Sequence, residues 1–254
     1  PAEWAWGRGM QDRLAPPIAA RWALRGGYQA DFTGLADPAL PYMAAAVLAA
    51  QDTALGVRLL RLANVGYVVT VQQRFAPLPE VARFESVFDR PVRVLRVPEP
   101  LPAAFVVGGA RHAVTTEEAL LAIARHDFEP TREAVLSSPG DGRDAPRGFR
   151  GSAVLALRTP DRLLVGTEAS APGWLVVVEA HAPGWEASVD GAPAPVLRAN
   201  ALFRAVPIPA GRHDVEMRYR PPSAPWGAVT SAIGVALIAA ALAAARRDPA
   251  PAAT

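Results

Sequence analysis

The chain contains neither cysteine nor lysine, and its charges nearly cancel. Without cysteine, a disulfide framework and every thiolate metal site are excluded. Because lysine is absent, all 26 basic residues are arginines, which we attribute to a genomic bias toward GC-rich codons. The formal net charge is only +2, so the composition indicates no basic surface for nucleic acid. We therefore expect no nucleic-acid partner.

Familiar catalytic signatures are missing as well. The sequence has no Gly-x-Ser-x-Gly nucleophile elbow, no phosphate-binding loop and no dinucleotide fingerprint. Its four histidines, at positions 112, 126, 181 and 213, are not spaced as metal ligands. The residue pattern thus predicts no cofactor, no metal site and no catalytic residue.

One long uncharged run covers residues 226–245, which are twenty residues in length. A helix of this length reaches about 30 Å, the thickness of a bilayer's hydrocarbon core. Trp226 stands where an interfacial aromatic residue is expected. Nine of the twenty residues are alanine, so insertion is only mildly favourable, and the run fits a helix bundle better than a lone anchor. We predict a transmembrane helix here.

The orientation of this helix follows from Arg246 and Arg247, which come directly after the uncharged run. The positive-inside rule places that end in the cytoplasm. Residues 1–225 are then extracytoplasmic at a bacterial cell membrane, and residues 246–254 form a cytoplasmic tail. The chain starts at Pro1 without a signal segment. We therefore expect the lipid bilayer and upstream transmembrane helices of the same protein as partners.

The outer part is divided by a Gly- and Pro-rich stretch over residues 138–151. Residues 1–40 show weak periodicity and are predicted to be irregular, with a short helix near 17–24. Residues 41–138 form a predicted α+β extracytoplasmic subdomain. The spacing of apolar residues predicts helical structure over residues 39–62 and 117–125, and Thr116 is the predicted cap of the second helix. Strands are expected at 67–71, 92–97, 104–107 and 133–137.

Residues 152–222 read as strand after strand and predict an antiparallel, β-sandwich-like domain. The expected strands are 154–158, 162–168, 174–180, 186–189, 201–208 and 213–219. Asp190 and Gly191 supply the positive φ angles of a tight hairpin turn. The predicted fold class is therefore an α+β outer region with a C-terminal antiparallel β-sandwich-like domain, followed by one transmembrane α-helix.

The candidate binding residues are Trp185 and Asp190, within residues 181–191, and Asn200. Trp185 is a candidate platform for a sugar ring, with Asp190 or Asn200 accepting hydrogen bonds from sugar hydroxyls. The alternative is a structural role, in which the chain turns at a Pro-Gly pair and Trp185 fills the core of the sandwich.

The same stretch carries a family pattern. Residues 181–222 contain Pro-Gly-Trp, Val-Asp-Gly, Ala-Asn-x-x-Phe-Arg-Ala-Val, Pro-Ala-Gly-x-His and Tyr-Arg-Pro-Pro elements, in that order. Residues 62–69 and 101–107 add Leu-Ala-Asn-Val-Gly-Tyr-Val-Val and Leu-Pro-Ala-Ala-Phe-Val-Val, where Ala103 replaces the usual arginine. Together these motifs closely resemble the C-terminal outer domain of the YfhO family of bacterial membrane proteins.

This resemblance implies a polytopic glycosyltransferase that uses polyprenyl-phosphate sugars outside the membrane on envelope glycans or lipids. Its catalytic carboxylate would sit in the first outer loop of the full protein, and no residue of this chain matches that position. The chain itself is then expected to be non-catalytic. A second hypothesis is a membrane-tethered, non-catalytic envelope or carbohydrate-binding module. An upstream reading frame with many spans would favour the first, and a lone signal peptide the second.

Overall fold

A computed structural model describes residue 37 and residues 39–72, 78–85, 90–138, 142–221 and 224–247. Most of the segment predicted to be irregular, including the short helix near 17–24, lies outside these residues. The same holds for residues 248–254 of the predicted tail.

The first half of the described chain contains both helices and strands, and strands dominate the second half. The helices are α1 (Ala39–Ala49), α2 (Ala54–Leu62), α3 (Thr116–Ala124) and α4 (Ala224–Arg247). The strands are β1 (Tyr67–Thr70), β2 (Glu80–Phe84), β3 (Val92–Arg96), β4 (Ala104–Val107), β5 (Gly109–His112), β6 (Glu133–Leu136), β7 (Gly151–Arg158), β8 (Arg162–Ala169), β9 (Gly173–Val177), β10 (Trp185–Val189), β11 (Ala192–Ala194), β12 (Leu197–Ala199), β13 (Phe203–Ile208) and β14 (Gly211–Tyr219).

Among the described residues these strands form three sheets, which confirms the prediction of a largely β fold. The strand orders are β1-β3-β2, β11-β10-β14-β8-β7 and β4-β9-β13-β12-β6-β5. Every pairing is antiparallel except that of β5 with β6. The six-stranded sheet takes strands from both sides of the predicted connection at 138–151.

The six-stranded sheet is strongly curled. Its two edge strands, β4 and β5, are consecutive in the chain and are separated only by Gly108. A Cβ atom at Gly108 would lie 2.6 Å from the ring of Phe149. This close approach explains why a residue without a side chain stands at the junction.

Apolar side chains cover both faces of the six-stranded sheet. One face packs against the five-stranded sheet, with Leu175 and Val206 facing Leu163 and Met217. The opposite face packs against α1, α2, α3 and the three-stranded sheet in a second core. The result is a sandwich with a helical layer on one side.

The predicted helical stretch over residues 39–62 is interrupted. Thr53 caps α2 by accepting a hydrogen bond from the backbone N–H of Gly56 at 3.4 Å. Leu59 and Leu62 of α2 are buried, whereas Leu48 is 53% exposed, because it belongs to the separate helix α1. At α3 the cap is Thr115 rather than Thr116, and Glu118 completes a capping box.

The C-terminal segment is one continuous helix, α4, as predicted. Hydropathy over the described residues identifies no helix that is long and apolar enough to cross a membrane. The transmembrane span predicted at 226–245 is therefore not supported. The segment is rich in alanine, whose methyl group favours insertion only weakly.

Candidate functional site

The candidate site lies at one end of the sandwich and is centred on Trp185, the first residue of β10. Trp185 is paired with Tyr219 at the end of β14, and their ring centroids are 5.4 Å apart at an angle of 38°. The guanidinium of Arg204, which comes from the facing sheet, lies 3.7 Å from the centroid of the Trp185 ring. The ring therefore contacts an aromatic neighbour and a cation at once.

Arg204 is a buried cation, with 5% of its surface exposed. Its Nε donates to the carbonyl of Ala180 at 3.0 Å, and its Nη2 lies 3.4 Å from Oε2 of Glu179. Burial lowers the pKa of Arg204 to about 10, so the group remains charged at neutral pH. Among the described residues its Nη1 atom has no hydrogen-bond partner.

Glu179 links Arg204 to a second arginine. Arg158, at the end of β7, donates from Nε to Oε1 of Glu179 at 2.6 Å. The carboxylate thus lies between two guanidinium groups, an arrangement that compensates the cost of burying charge. This network joins β7, the segment that follows β9, and β13, so it connects the two sheets of the sandwich.

A groove of about 490 Å³ borders this end of β10. Its charged side chains are paired: Arg220 lies 3.3 Å from Glu186, and Arg218 lies 2.7 Å from Glu216. Its lining residues are Trp185, Glu186, Ala187, Ser188, Pro193, Ala194, Val196, Glu216, Arg218 and Arg220. The groove thus offers charged donors and acceptors beside a half-buried aromatic residue.

Of the three candidate sugar contacts, only Trp185 lines the groove. Asp190 lies at the opposite end of β10, about 16 Å away at 3.3 Å per residue. Its φ of 51° and that of Gly191, 83°, are those of the predicted tight turn. Its carboxylate accepts from the backbone N–H of Asp214 at 2.9 Å and contacts Nδ1 of His213 at 2.6 Å.

Asn200 is fully buried in the turn between β12 and β13. Its side-chain oxygen accepts from the backbone N–H of Val135 at 2.9 Å. The amide therefore connects β6 to the β12–β13 turn. Trp226, Arg246 and Arg247, which determine the predicted topology, all lie within α4.

The pKa shifts of the described carboxyl groups all have the same direction. Hydrogen bonds from Arg83 and Arg93 lower the pKa of Glu80 to about 2, and bonds from Arg125 and Arg111 lower that of Asp127 to about 2. The pKa of Asp190 and that of Glu216 are also lowered, chiefly by hydrogen bonds from His213 and Arg218 respectively. Such groups are ionised at neutral pH and are poor proton donors. No group of three potential metal ligands occurs in the described parts of the chain.

Sequence reasoning missed the Arg158–Glu179–Arg204 network. Arg204 stands between Phe203 and Ala205 in an otherwise apolar strand, FRAVPI. A charged residue in such a strand signals a buried, paired side chain. The sequence does not identify the partner, because Glu179 follows a different strand.

Residues 163–231 match the family model described as bacterial membrane protein YfhO. This range runs from β8 into α4 and contains Trp185, Arg204 and Tyr219. It includes the motifs at 181–222 and begins after those at 62–69 and 101–107. No curated protein matches the chain, and no solved structure does.

The contact between Trp185 and Arg204 predicts a measurable coupling. In the full chain in mild detergent, Trp185→Ala should lower the free energy of unfolding by about 3 kcal/mol, because the ring is lost from the sandwich. Trp185→Phe keeps a ring and should cost less. A double-mutant cycle with Arg204→Met, read by urea denaturation and circular dichroism, should give about 1 kcal/mol of coupling. An unchanged stability in Trp185→Ala would show that the ring is not structural.

The contact between Asp190 and His213 predicts a pH dependence. Hydrogen bonds to Asp190 and to the carbonyl of Ala210 raise the pKa of His213. Its stabilising contribution is complete below the unfolded value of about 6.5 and is lost as pH rises through the folded pKa. His213→Gln should abolish this loss of stability, measured by denaturation across that pH range. His126→Gln, at an exposed site, is the control and should keep the loss. Identical profiles in both variants would contradict the assignment.

Proposed function

We propose, from the premise that residues 163–231 are a region of the YfhO family of membrane proteins, that this chain is the outer C-terminal part of a membrane glycosyltransferase. The enzyme would transfer sugars from polyprenyl-phosphate donors to glycans or lipids of the bacterial cell envelope. Within it, this chain would be non-catalytic and would shape the acceptor side of the active site.

The non-catalytic role is supported by the contacts that the residues of the family motifs make within the fold. Trp185, Arg204 and Tyr219 belong to three of those motifs and meet at one end of the sandwich. There Trp185 contacts both Tyr219 and Arg204, and Arg204 in turn contacts the carboxylate of Glu179. Glycosyl transfer needs a carboxyl group free to act on an acceptor hydroxyl or a leaving group. The motif residues instead support a rigid end of a folded domain.

The exposure of α4 supports a place beside other membrane helices. Val235, Leu237 and Ile238 are each more than 60% exposed, and no described element packs along this helix. Ser231 and Gly234 would permit close approach of a neighbouring helix. We therefore propose that α4 joins the helices of the upstream part, with Arg246 and Arg247 on the cytoplasmic side and residues 1–225 outside.

A second function is favoured by the groove beside Trp185. An aromatic side chain next to paired charged groups also suits a carbohydrate-binding module that is tethered to the membrane and has no enzyme attached. In that case Trp185 would bind glycan instead of supporting the fold. The two functions differ in whether a longer protein containing this chain transfers sugar.

The non-catalytic role predicts that residues 1–254 transfer no sugar alone. The purified chain in detergent would be given a polyprenyl-phosphate sugar and envelope acceptors, and glycosylated product measured. A longer protein containing this chain is the control and should form product. Turnover by residues 1–254 that disappears in Glu186→Gln or Asp190→Asn would place the active site here and overturn the proposal.

The proposed topology predicts opposite behaviour for two fusion sites in the intact membrane protein. A reporter that works only in the cytoplasm should be active after Thr254 and silent when inserted at Gly148. Gly148 is suitable because it lies in a turn with a φ of 69°, and a Cβ atom placed on it would meet no atom within 4 Å. Alkaline phosphatase, which works only outside, should give the reverse pattern. Activity of the cytoplasmic reporter at Gly148 would contradict the topology.

A further inference from the structure

A second cavity, of about 360 Å³, opens beside the ends of β5 and β6 and shares no lining residue with the groove at Trp185. Its volume lies within the range of roughly 300–1,000 Å³ that small-molecule sites occupy. The polar side chains that line it come from four separate segments of the chain, and we call it the Asp37–Arg198 pocket. These side chains are Asp37, Tyr42, Thr115, Thr116, Ser137 and Arg198.

A parallel strand pair brings these segments together. Strands β5 and β6 are parallel and are connected through α3, so the carboxyl ends of both strands and the start of α3 lie at one edge of the sheet. Ligands of α/β sheets commonly bind at this position. Strand β12 adds Arg198 to the same edge, since the backbone N–H of Ser137 donates to the carbonyl of Arg198 at 2.8 Å.

A buried ion pair lies in the wall of the pocket. The side chain of Asp37 is only 3% exposed, and that of Arg198 is 27% exposed. Oδ1 of Asp37 accepts from Nη1 of Arg198 at 2.7 Å and from the backbone N–H of Ala39 at 2.8 Å. In the described parts of the chain, no hydrogen bond reaches Oδ2 of Asp37 or leaves Nη2 of Arg198. The pair thus retains an unused acceptor and an unused donor.

The charges at the pocket argue against an anionic ligand. Glu118 lies in the first turn of α3, and its carboxylate accepts from the backbone N–H groups of Val114 at 2.7 Å and Thr115 at 3.3 Å. A carboxylate of the chain therefore occupies the N-terminus of α3, where an anion would otherwise bind. Because Asp37 neutralises Arg198, no unpaired cation remains among the described lining residues. A neutral, polar ligand fits these charges best.

The hydroxyl groups of a sugar match what the lining offers. A hydroxyl both donates and accepts hydrogen bonds, so two neighbouring hydroxyls can donate to Asp37 and accept from Arg198 at once. The hydroxyls of Thr116 and Ser137 make no hydrogen bond with described residues and serve in either role. Tyr42, which is 65% exposed, adds a ring that packs on the apolar C–H face of a pyranose.

We propose that the Asp37–Arg198 pocket binds the pyranose ring of a neutral sugar, either a free monosaccharide or the terminal unit of a glycan. Asp37 accepts from one hydroxyl, Arg198 donates to its neighbour, and the ring of Tyr42 packs on the sugar. The site does not involve Trp185, and it holds whether or not a longer protein transfers sugar. It is therefore independent of the proposed function.

Ligand-observed saturation-transfer NMR on the full chain tests this proposal. The protein is kept in a zwitterionic detergent, because detergents with sugar headgroups would compete for the pocket. The probes are glucose, galactose, mannose and N-acetylglucosamine, and inorganic phosphate is added as a competitor. At least one sugar should bind with a dissociation constant on the order of 1 mM, as expected for a ligand of about twelve non-hydrogen atoms. Phosphate should not displace it.

Two variants assign the binding to the pocket. Asp37→Asn keeps an oxygen for the backbone N–H of Ala39 but removes the charge, and Tyr42→Ala removes the ring at an exposed position. Each should weaken sugar binding about tenfold while the circular dichroism spectrum stays the same. Asp190→Asn and Tyr67→Ala, at other exposed positions, are the matched controls and should bind as the unaltered chain does.

Sugar binding that is lost in Asp190→Asn but kept in Asp37→Asn and Tyr42→Ala would overturn the proposal, as would the absence of binding by every sugar. Displacement by phosphate would indicate an anion site and would also overturn it. Methyl glycosides distinguish the two sources of the sugar. The terminal unit of a glycan predicts that at least one methyl anomer binds, and a free monosaccharide predicts that neither does.

The same measurements separate this proposal from the proposed function. Sugar binding in the pocket, combined with no transfer by the longer protein, would reject the enzyme and leave the pocket in place. Transfer by the longer protein, combined with no binding here, would reject the pocket alone.

Discussion

The six-stranded sheet is covered on both faces, and the arrangement of the other layers follows from this constraint. Along β9 and β13 successive side chains enter different cores. Val176 and Ala205 face the helical layer, whereas Leu175 and Val206 face the five-stranded sheet. A slip of one residue in either strand would exchange the two sets. Burial on both sides therefore fixes the register, and with it the positions of the helices and of the second sheet.

Arg204 is the exception to this apolar pattern, and it lies where the two sheets end. Removing a guanidinium from water is costly unless its hydrogen bonds and charge are matched. Glu179, the carbonyl of Ala180 and the ring of Trp185 provide that match. The same contacts connect the start of β13 to β10 in the facing sheet. The charge of Arg204 would be unfavourable in the middle of a sheet. At this position, close to the start of α4, it instead helps to orient one sheet relative to the other.

Much of the local structure could be predicted, because it depends on neighbouring residues. The strand over 104–107, the turn at Asp190 and the alternation of β14 follow from spacing and turn chemistry. The division of strands among sheets could not, since it depends on contacts between distant segments. For the same reason Asn200 looked available to a ligand, although its amide holds the backbone of Val135. Short, irregular β2 and β11 carried too little periodicity to detect.

The junction at Gly108 also determines the order in which the sheet can form. Strands β4 and β5 are synthesised one directly after the other, but they do not pair with each other. The partner of β4 is β9, which begins only at Gly173, and β6 must wait for β12. Pairings this distant in sequence close slowly, because chain entropy is lost before contacts form. The first half of the chain therefore emerges with two unpaired sheet edges, and the segment that contains the YfhO region completes it.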